Sequence, residues 1–566
     1  MPEQDEPVAV SATCTPPAAD WNLQARWSLD DDDRYLAAHV GRYADGDGDG
    51  VTSSADPVGI WLTNPVGAGA PAVLVDATGE VVWRSYEWEN STAVFSTIAE
   101  VDSSSPGMEY LAASRDGAGT SHLAVLNERG GLILSAPWDG ATAGALSLLD
   151  LEGDGIAEVL GTDLVASAVD GSVVVRFSGT ATRPVTGDLD LDGFPEIISI
   201  FGTEPAVFDR NGALRGTCPV SVESDGSPAE NTVFAIGNLD DDEQGEYAAA
   251  NGGTLAICEW DGTLDASISD GPLVTDVLGL GEFDGDAPPE LVTKYDRTDS
   301  AGAGIAVYDT DLRLIWRTDV KGAPSHLPFA LADLDGDGLH EIVVNRDQGL
   351  AILSPTGELL AQTDEGPRSQ NVFDAPIVTD LDGDGRAEIL VSGADPNLTV
   401  FQNSEGGWPI LGGSDPWPGE DHFPGDRTPS GALPAFDLPR WETPPGNTWQ
   451  GLAPGAPELA DLGIALAGTC APDCDHPIVT IRLSNRGTVA APGPIVLTAY
   501  SEADGEELAS TSTEEPLPPG MSRVIRVSLP AMATTEPVRV EIDGDGRLPE
   551  CQGQSDVLIV APVQCG

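Results

Sequence analysis

Asp333, Asp335 and Asp337 stand at alternate positions in the run Asp-Leu-Asp-Gly-Asp-Gly-Leu-His-Glu at 333–341, and Glu341 closes it. Gly336 and Gly338 let the backbone turn sharply, so the three acids bend their oxygens toward one centre. Left bare, these charges repel. A hard cation taking about six to eight oxygens at roughly 2.3–2.6 Å resolves the repulsion, with the carbonyl of Leu339 completing the shell. The chemistry read here is calcium binding, in a loop entered and left through short apolar strands.

The spelling recurs along the chain. Asp380, Asp382, Asp384 and Glu388 repeat it, with Arg386 at the carbonyl position. Upstream lie Asp150, Glu152, Asp154 and Glu158 with Ile156, then Asp188, Asp190, Asp192 and Glu196 with Phe194. Asn238, Asp240, Asp242 and Glu246 follow, then Glu282, Asp284, Asp286 and Glu290. A worn copy at Asp102, Ser104 and Glu109 is a residue short and lacks the middle carboxylates. The first copy differs: Asp45, Asp47, Asp49, Ser53 and Asp56, with Val51 as carbonyl ligand, follow the spacing of an EF-hand loop. What comes next, Val-Gly-Ile-Trp-Leu at 58–62, reads as a strand rather than a helix. Ions are expected in the loops starting at 150, 188, 282, 333 and 380, and also at 45 and 238. The loop at 102 is expected to be empty.

Such loops need a frame, and a second element recurs in step with them. Alternating apolar residues broken by an Asp- or Asn-rich turn read as hairpins at 73–79, 124–130, 206–212, 256–262, 306–312 and 351–357. Shorter copies lie at 169–171 and 399–403. One unit is therefore strand, acidic loop, strand, hairpin. Four strands at a period of roughly 40–55 residues describe a propeller blade, and the units number eight. The worn second unit reads either as a blade or as an extra strand pair.

The D-x-D-G-D-G-x-x-E-I pattern with these hairpins resembles the FG-GAP/VCBS repeat family over about residues 35–412. The resemblance implies an all-β chain built on an integrin-α-like β-propeller. Family members most often close with seven blades, and some polysaccharide lyases close with eight; the unit count favours eight.

Composition points the same way. Of 566 residues, 93 are Asp or Glu and 26 are Lys or Arg, a net charge of 26 − 93 = −67. Lysine occurs only as Lys294 and Lys321. A chain so acidic is repelled by nucleic acid and by anionic membranes. Eight divalent ions would cancel only part of this charge; the rest coats the surface, as in secreted or salt-adapted proteins. No stretch reaches the roughly 18–20 apolar residues that span a bilayer, and the chain as given reads as soluble. Residues 1–26 form an N-terminal segment with no basic region ahead of an apolar run. Ser-Ala-Thr-Cys at 11–14 is a poor lipobox because Thr13 precedes Cys14. Trp27 reads as the approach to the first blade, and the acids at 30–33 as a solvated turn.

The propeller is expected over 27–412 and an extended Pro- and Gly-rich linker over 413–456. Trp408, Trp417, Trp441 and Trp449, spaced around this junction, read as packing residues rather than sugar platforms. Strands at 478–487, 495–500, 522–528 and 538–542 then suggest a β-sandwich over 457–566. The order strand, Ser-Asn-Arg-Gly, strand, Leu-Pro-Pro-Gly, strand, Asp-Gly and Glu550 resembles the CARDB family of Ig-like domains over about 457–562. Cys551 and Gln552 stand near the place of its usual closing Asn pair. Asp-Gly-Asp-Gly at 543–546 reads as a hairpin turn.

Seven cysteines occur. Cys470, Cys474, Cys551 and Cys565 flank the strands of the terminal domain without paired zinc spacings, so two disulfides are expected there in any of the three connectivities. Cys218 and Cys258 lie in hairpin regions of successive units, which suits a bridge between them. Cys14 is left over.

Catalytic spellings are missing: no G-x-S-x-G elbow, no H-E-x-x-H helix, no phosphate-cradling loop. The six histidines are scattered, with His340 at a variable position of an acidic loop. Two function classes remain. The favoured one is a calcium-binding, secreted or cell-surface adhesion protein, a monomer whose propeller loops hold a protein or glycan. The rival is a carbohydrate-active enzyme of the polysaccharide-lyase kind, whose pair of carboxylates the metal loops would conceal.

Overall fold

A computed structural model gives the fold. It describes the strands and tight turns of residues 21–409 and 462–560; outside it lie residues 1–20, 410–461 and 561–566, most acidic-loop positions and several connections between sheets. The chain divides into two compact units, one centred on residues 20–410 and one on 456–566.

Among the described residues, the first unit holds eight antiparallel sheets of four main strands each. Sheet one runs Ala37–Arg42, Val58–Thr63, Ala72–Asp76, Val81–Ser85 in sequence order. Sheets two to seven repeat this order over 91–137, 147–176, 185–217, 233–268, 273–319 and 329–362. The worn unit around Glu109 is thus a complete sheet. Second and third strands, such as Glu196–Phe201 and Thr254–Glu259, are apolar along both faces because a neighbouring sheet covers each side. Outermost strands such as Leu264–Ile268 alternate between half-buried and exposed positions.

The eighth sheet is assembled from both ends of the unit. Ile377–Thr379, Arg386–Ser392 and Leu398–Asn403 supply three strands, and Leu23–Leu29 pairs antiparallel with Leu398–Asn403 as the fourth. Two expectations are corrected here. Residues 399–403 are a third strand rather than a shortened hairpin, and Trp27 belongs to the last sheet rather than to the approach to the first. The strand Leu23–Leu29 also straddles the boundary expected at 26/27.

Among the described residues, seven shared cores link the sheets in a ring, one of them spanning sheets five, six and seven. Sheets one and two meet through Trp61, Leu74, Tyr110 and Leu126, and sheets seven and eight through Ala330, Val343, Ile389 and Phe401. The last joint brings Ile377, Leu390 and Val400 of sheet eight against Val40, Ile60 and Val73 of sheet one. Each 3–4 turn is held by its own side chain: Asp76 Oδ1 accepts from the N–H groups of Thr78 and Glu80, and Asp209 Oδ1 from those of Asn211 and Ala213. The turn ends in a residue with positive φ, Gly79 in sheet one and Leu312 in sheet six.

At the joint between sheets four and five the contact differs. Gly216 packs directly on the carbonyl of Asp261, and a disulfide joins Cys218 to Cys258 with Cα atoms 6.0 Å apart, the bridge that the cysteine positions suited. Trp408 is fully buried and pairs with Ala387, a packing role as expected. Trp417, Trp441 and Trp449 lie outside the described residues.

The second unit is a β-sandwich. One sheet orders Leu462–Cys470, Ile478–Asn485 and Ser522–Ser528; the other orders Glu507–Thr513, Ile495–Ser501, Val538–Ile542 and Val557–Val560. Val479, Ile481 and Leu483 of one meet Leu497, Ala499 and Val540 of the other. Cys474, Cys551 and Cys565 lie outside the described residues, as does 543–546.

Candidate functional site

Each acidic loop joins the first strand of a sheet to its second. Of the expected ligands, Glu158, Asp190, Phe194, Glu196, Glu246, Glu290, Leu339, Glu341 and Glu388 are described, and Arg386 opens a strand. Asp45, Asp47, Asp49, Val51 and Asp56 lie outside the described residues, as do Asp150, Glu152, Asp154, Ile156, Asp188 and Asp192. So do Asn238, Asp240, Asp242, Glu282, Asp284 and Asp286, and Asp333, Asp335, Asp337, Asp380, Asp382 and Asp384. Among the described residues no group of three or more His, Cys, Asp or Glu is gathered to hold a metal. The described part common to six of the sites is the closing glutamate.

That glutamate is built alike in six sheets. None of Glu158, Glu196, Glu246, Glu290, Glu341 and Glu388 is more than 3 % exposed. In each, Oε2 accepts the backbone N–H seven residues upstream: from Leu151 at 2.7 Å, Leu189 at 3.0 Å, Phe283 at 2.7 Å, Leu334 at 2.8 Å and Leu381 at 2.9 Å. Leu239 donates to Glu246 in the same way. The donor is an amide that loses its sheet partner as the chain leaves the first strand, so the carboxylate satisfies a group that would otherwise be buried and unbonded. The donor residue's own side chain, Leu or Phe, is buried in every case. Sequence reasoning missed this anchor, although the Leu or Phe after the first loop position of these six copies was its signal. Glu109 of the worn copy is fully buried too.

Burying carboxylates this deeply calls for positive charge nearby. At sheet four, burial first and the charge of Asp190 second push the Glu196 carboxyl up to about 8, against the lowering pull of the Leu189 and Asp190 amides and Arg215. Arg215 Nη1 lies 2.9 Å from Asp190 Oδ2, and its Nη2 lies 3.9 Å from Glu196 Oε1. At sheet eight, Arg26 Nη1 donates to Glu388 Oε1 at 3.1 Å. Arg210 covers the Phe194 ring at 3.5 Å. Neither Arg26 nor Arg215 was singled out from the sequence. A buried carboxylate of this kind suits a hard divalent cation, which takes oxygen ligands.

Antiparallel order puts the acidic loops and the 3–4 turns on one rim of the ring. The 2–3 turns and the connections between sheets share the other. On that second rim Arg346, only 8 % exposed, donates to Lys321 O at 3.0 Å and to Thr363 O at 2.9 Å, and pairs with Asp364. It thereby ties one 2–3 turn to the connections on either side. Of the histidines, His39 is buried with Nε2 2.9 Å from Ser96 Oγ, and His340 is half-buried beside Phe283.

The FG-GAP-like repeat family matches residues 333–391. No curated protein matches the chain. Among solved structures, the V. cholerae biofilm matrix protein Bap1 is similar at 14 % identity and a TM-score of 0.54, over 75 % of this chain and 99 % of that one. The exotype rhamnogalacturonan lyase YesX is 15 % identical with a TM-score of 0.46, over 66 % of this chain and 72 % of that one. The CARDB domain of a Pyrococcus furiosus protein, in complex with di-metal ions, is 15 % identical with a TM-score of 0.16, over 19 % of this chain and 90 % of that one. The repeat match in sheets seven and eight and the likeness of fold together support a β-propeller for the first unit.

Proposed function

We propose that this FG-GAP repeat propeller is a calcium-stiffened binding module of a secreted or cell-surface adhesion protein. The carrying observation is the repeated closing glutamate, buried in sheet after sheet and tied to the amide at the mouth of its loop. Calcium at the loops starting at 150, 188, 282, 333 and 380, and also at 45 and 238, would neutralise these carboxylates and stiffen one rim. The opposite rim, where Arg346 braces one 2–3 turn against the connections on either side, then offers its loops to a protein or glycan ligand. The disulfide and the charge of −67 support an extracellular setting. The sandwich, read as CARDB-like and held by two disulfides, serves as a spacer or adhesive module. No helix among the described residues is long and apolar enough to cross a membrane.

The test is a glycan array and an unbiased pull-down with calcium-loaded protein, repeated in chelator. Calcium-dependent capture of a defined ligand, abolished by substitutions on the Arg346 rim, is the expected result. Acidic and neutral polysaccharides incubated in parallel are expected to stay intact. New unsaturated or reducing ends, lost when one carboxylate outside the loops is replaced, would make the chain a lyase instead.

A further inference from the structure

On the rim opposite the acidic loops, the 2–3 turn of sheet seven at 346–349 is wedged between two connections. The Asp347 N–H donates to Gly322 O in the connection from sheet six, and the Gly349 N–H to Pro367 O in the connection to sheet eight. The Arg346 side chain, nine-tenths buried, is held from both sides as well. Its Nε is spent on Lys321 O, and its Nη1 on Thr363 O and Asp364 Oδ1. Nη2 has no partner among the described residues, yet it is not enclosed. A Cβ on Gly322 would stand 3.5 Å from it, so glycine at that position leaves the nitrogen uncovered. A guanidinium fixed in this way, with one nitrogen unspent, is a preformed donor for an oxyanion.

Two more cations flank it. Lys321 and Arg368 are exposed, and among the described residues neither side chain is in an ion pair. With 93 acids to 26 cations in the chain, both stand unclaimed. Asp347, Asp364 and Glu365 are exposed beside them and balance the three cations, so the patch has no net positive field to draw a polyanion. It suits a single acidic group on an otherwise neutral ligand. Protein interfaces are anchored by apolar and aromatic side chains. None of the exposed large apolar residues falls within 320–323, 346–349 or 363–368. Asp347 and Gln348, exposed in the turn, offer acceptors and donors to sugar hydroxyls instead.

We propose that Arg346 Nη2, with Lys321 and Arg368 at its flanks, receives the acidic group of a sugar, a carboxylate or a sulfate ester, within a largely neutral glycan. The inference deepens the ligand-rim reading above and rests on it.

Calorimetry with the full chain in calcium buffer uses three probes of one length: a neutral oligosaccharide bearing one uronate, its carboxyl-reduced form, and a neutral oligosaccharide bearing one sulfate ester. The wild type should bind an acidic probe and take the reduced form roughly tenfold more weakly. The uronate and sulfate arms tell which oxyanion is held. Arg346→Gln should weaken the acidic probe by roughly tenfold or more, and the exposed Lys321→Gln by about threefold. Arg313→Gln, on the acidic-loop rim, should change nothing. Lys321→Gln carries the test if Arg346→Gln fails to fold. An acidic probe bound no better than its reduced form, or unaffected by these two substitutions, would overturn the inference. So would no binding of any probe. The function reading survives that last result if the pull-down captures a ligand through the Arg346 rim, and falls too if capture is indifferent to that rim.

Discussion

The indole of Trp27 packs on Gly79: a Cβ there would stand 2.9 Å from Trp27 Cε3, and Trp27 Nε1 donates to Ala77 O at 3.2 Å. The pair joins the last sheet to the first. Trp83 meets Gly130 and Glu128 O in the same way, and Trp316 meets Gly357 and Pro355 O, so the closing joint reuses a clasp found inside the ring. Gly79 has φ of +90°, which adds backbone strain for any other residue.

Gly79→Ala should therefore cost more than the left-handed backbone alone. Gly202 offers the comparison, with φ of +69° and nothing within 4 Å of a built Cβ. Gly202→Ala is expected to lose about 1–2 kcal/mol, and Gly79→Ala clearly more, because the ring-closing indole must move. Urea unfolding of both variants reads the difference; equal losses would mean that the Trp27 clasp adds nothing.

Chelation should lower Tm by many degrees. Binding to the folded state alone stabilises by about 2.7 kcal/mol per site at a hundredfold excess over Kd. Elemental analysis and thermal melts with and without chelator check this. An unchanged melt together with no bound calcium would sink the cation reading.

Two substitutions at one position separate the structural from the electrostatic share of a closing glutamate. Glu341→Ala leaves the Leu334 amide without its acceptor, at a cost of about 1–3 kcal/mol with or without calcium. Glu341→Gln keeps an acceptor and removes the charge, so it should melt near the wild type in chelator and gain less from calcium. A Gln variant as calcium-responsive as the wild type would show that this carboxylate holds no ion.

Removing the bridge between sheets four and five should also be costly. Cys218 and Cys258 are 40 residues apart in sequence, and closing such a loop is worth about 4 kcal/mol in the chain-entropy model. The Cys218→Ala/Cys258→Ala protein, or the reduced wild type, is expected to unfold at correspondingly lower urea. In the sandwich, non-reducing peptide mapping should find Cys470, Cys474, Cys551 and Cys565 in two disulfides. Four free thiols there would contradict that pairing.

What could be read from the sequence was local. Asp- or Asn-led turns between alternating apolar residues declare themselves within about ten residues, so the all-β fold and the hairpins were legible. The fourth strand of sheet eight was not, because Leu-Gln-Ala-Arg-Trp-Ser-Leu has no neighbour in sequence to pair with. The Ser- and Thr-rich edge strand Glu507–Thr513 escaped for want of a buried apolar face. Arg26 and Arg215 gain their meaning from register slips in the outer strands of sheets eight and four, which no spacing of letters reports.

Ring closure also sets a clock. Ser28 and Thr399, whose hydroxyls meet at 2.9 Å, are 371 residues apart. At ribosomal speeds the first strand waits roughly 20–75 s for its partner to be made. Contacts this distant in sequence make assembly slow, and until the ring closes the third strand of the last sheet is a bare edge open to other chains. Partial products of synthesis should accordingly be cut by protease within sheet eight, and become resistant there once residues 398–403 can meet 23–29. Protection of that sheet in chains lacking residues 1–29 would show that the ring holds without its latch.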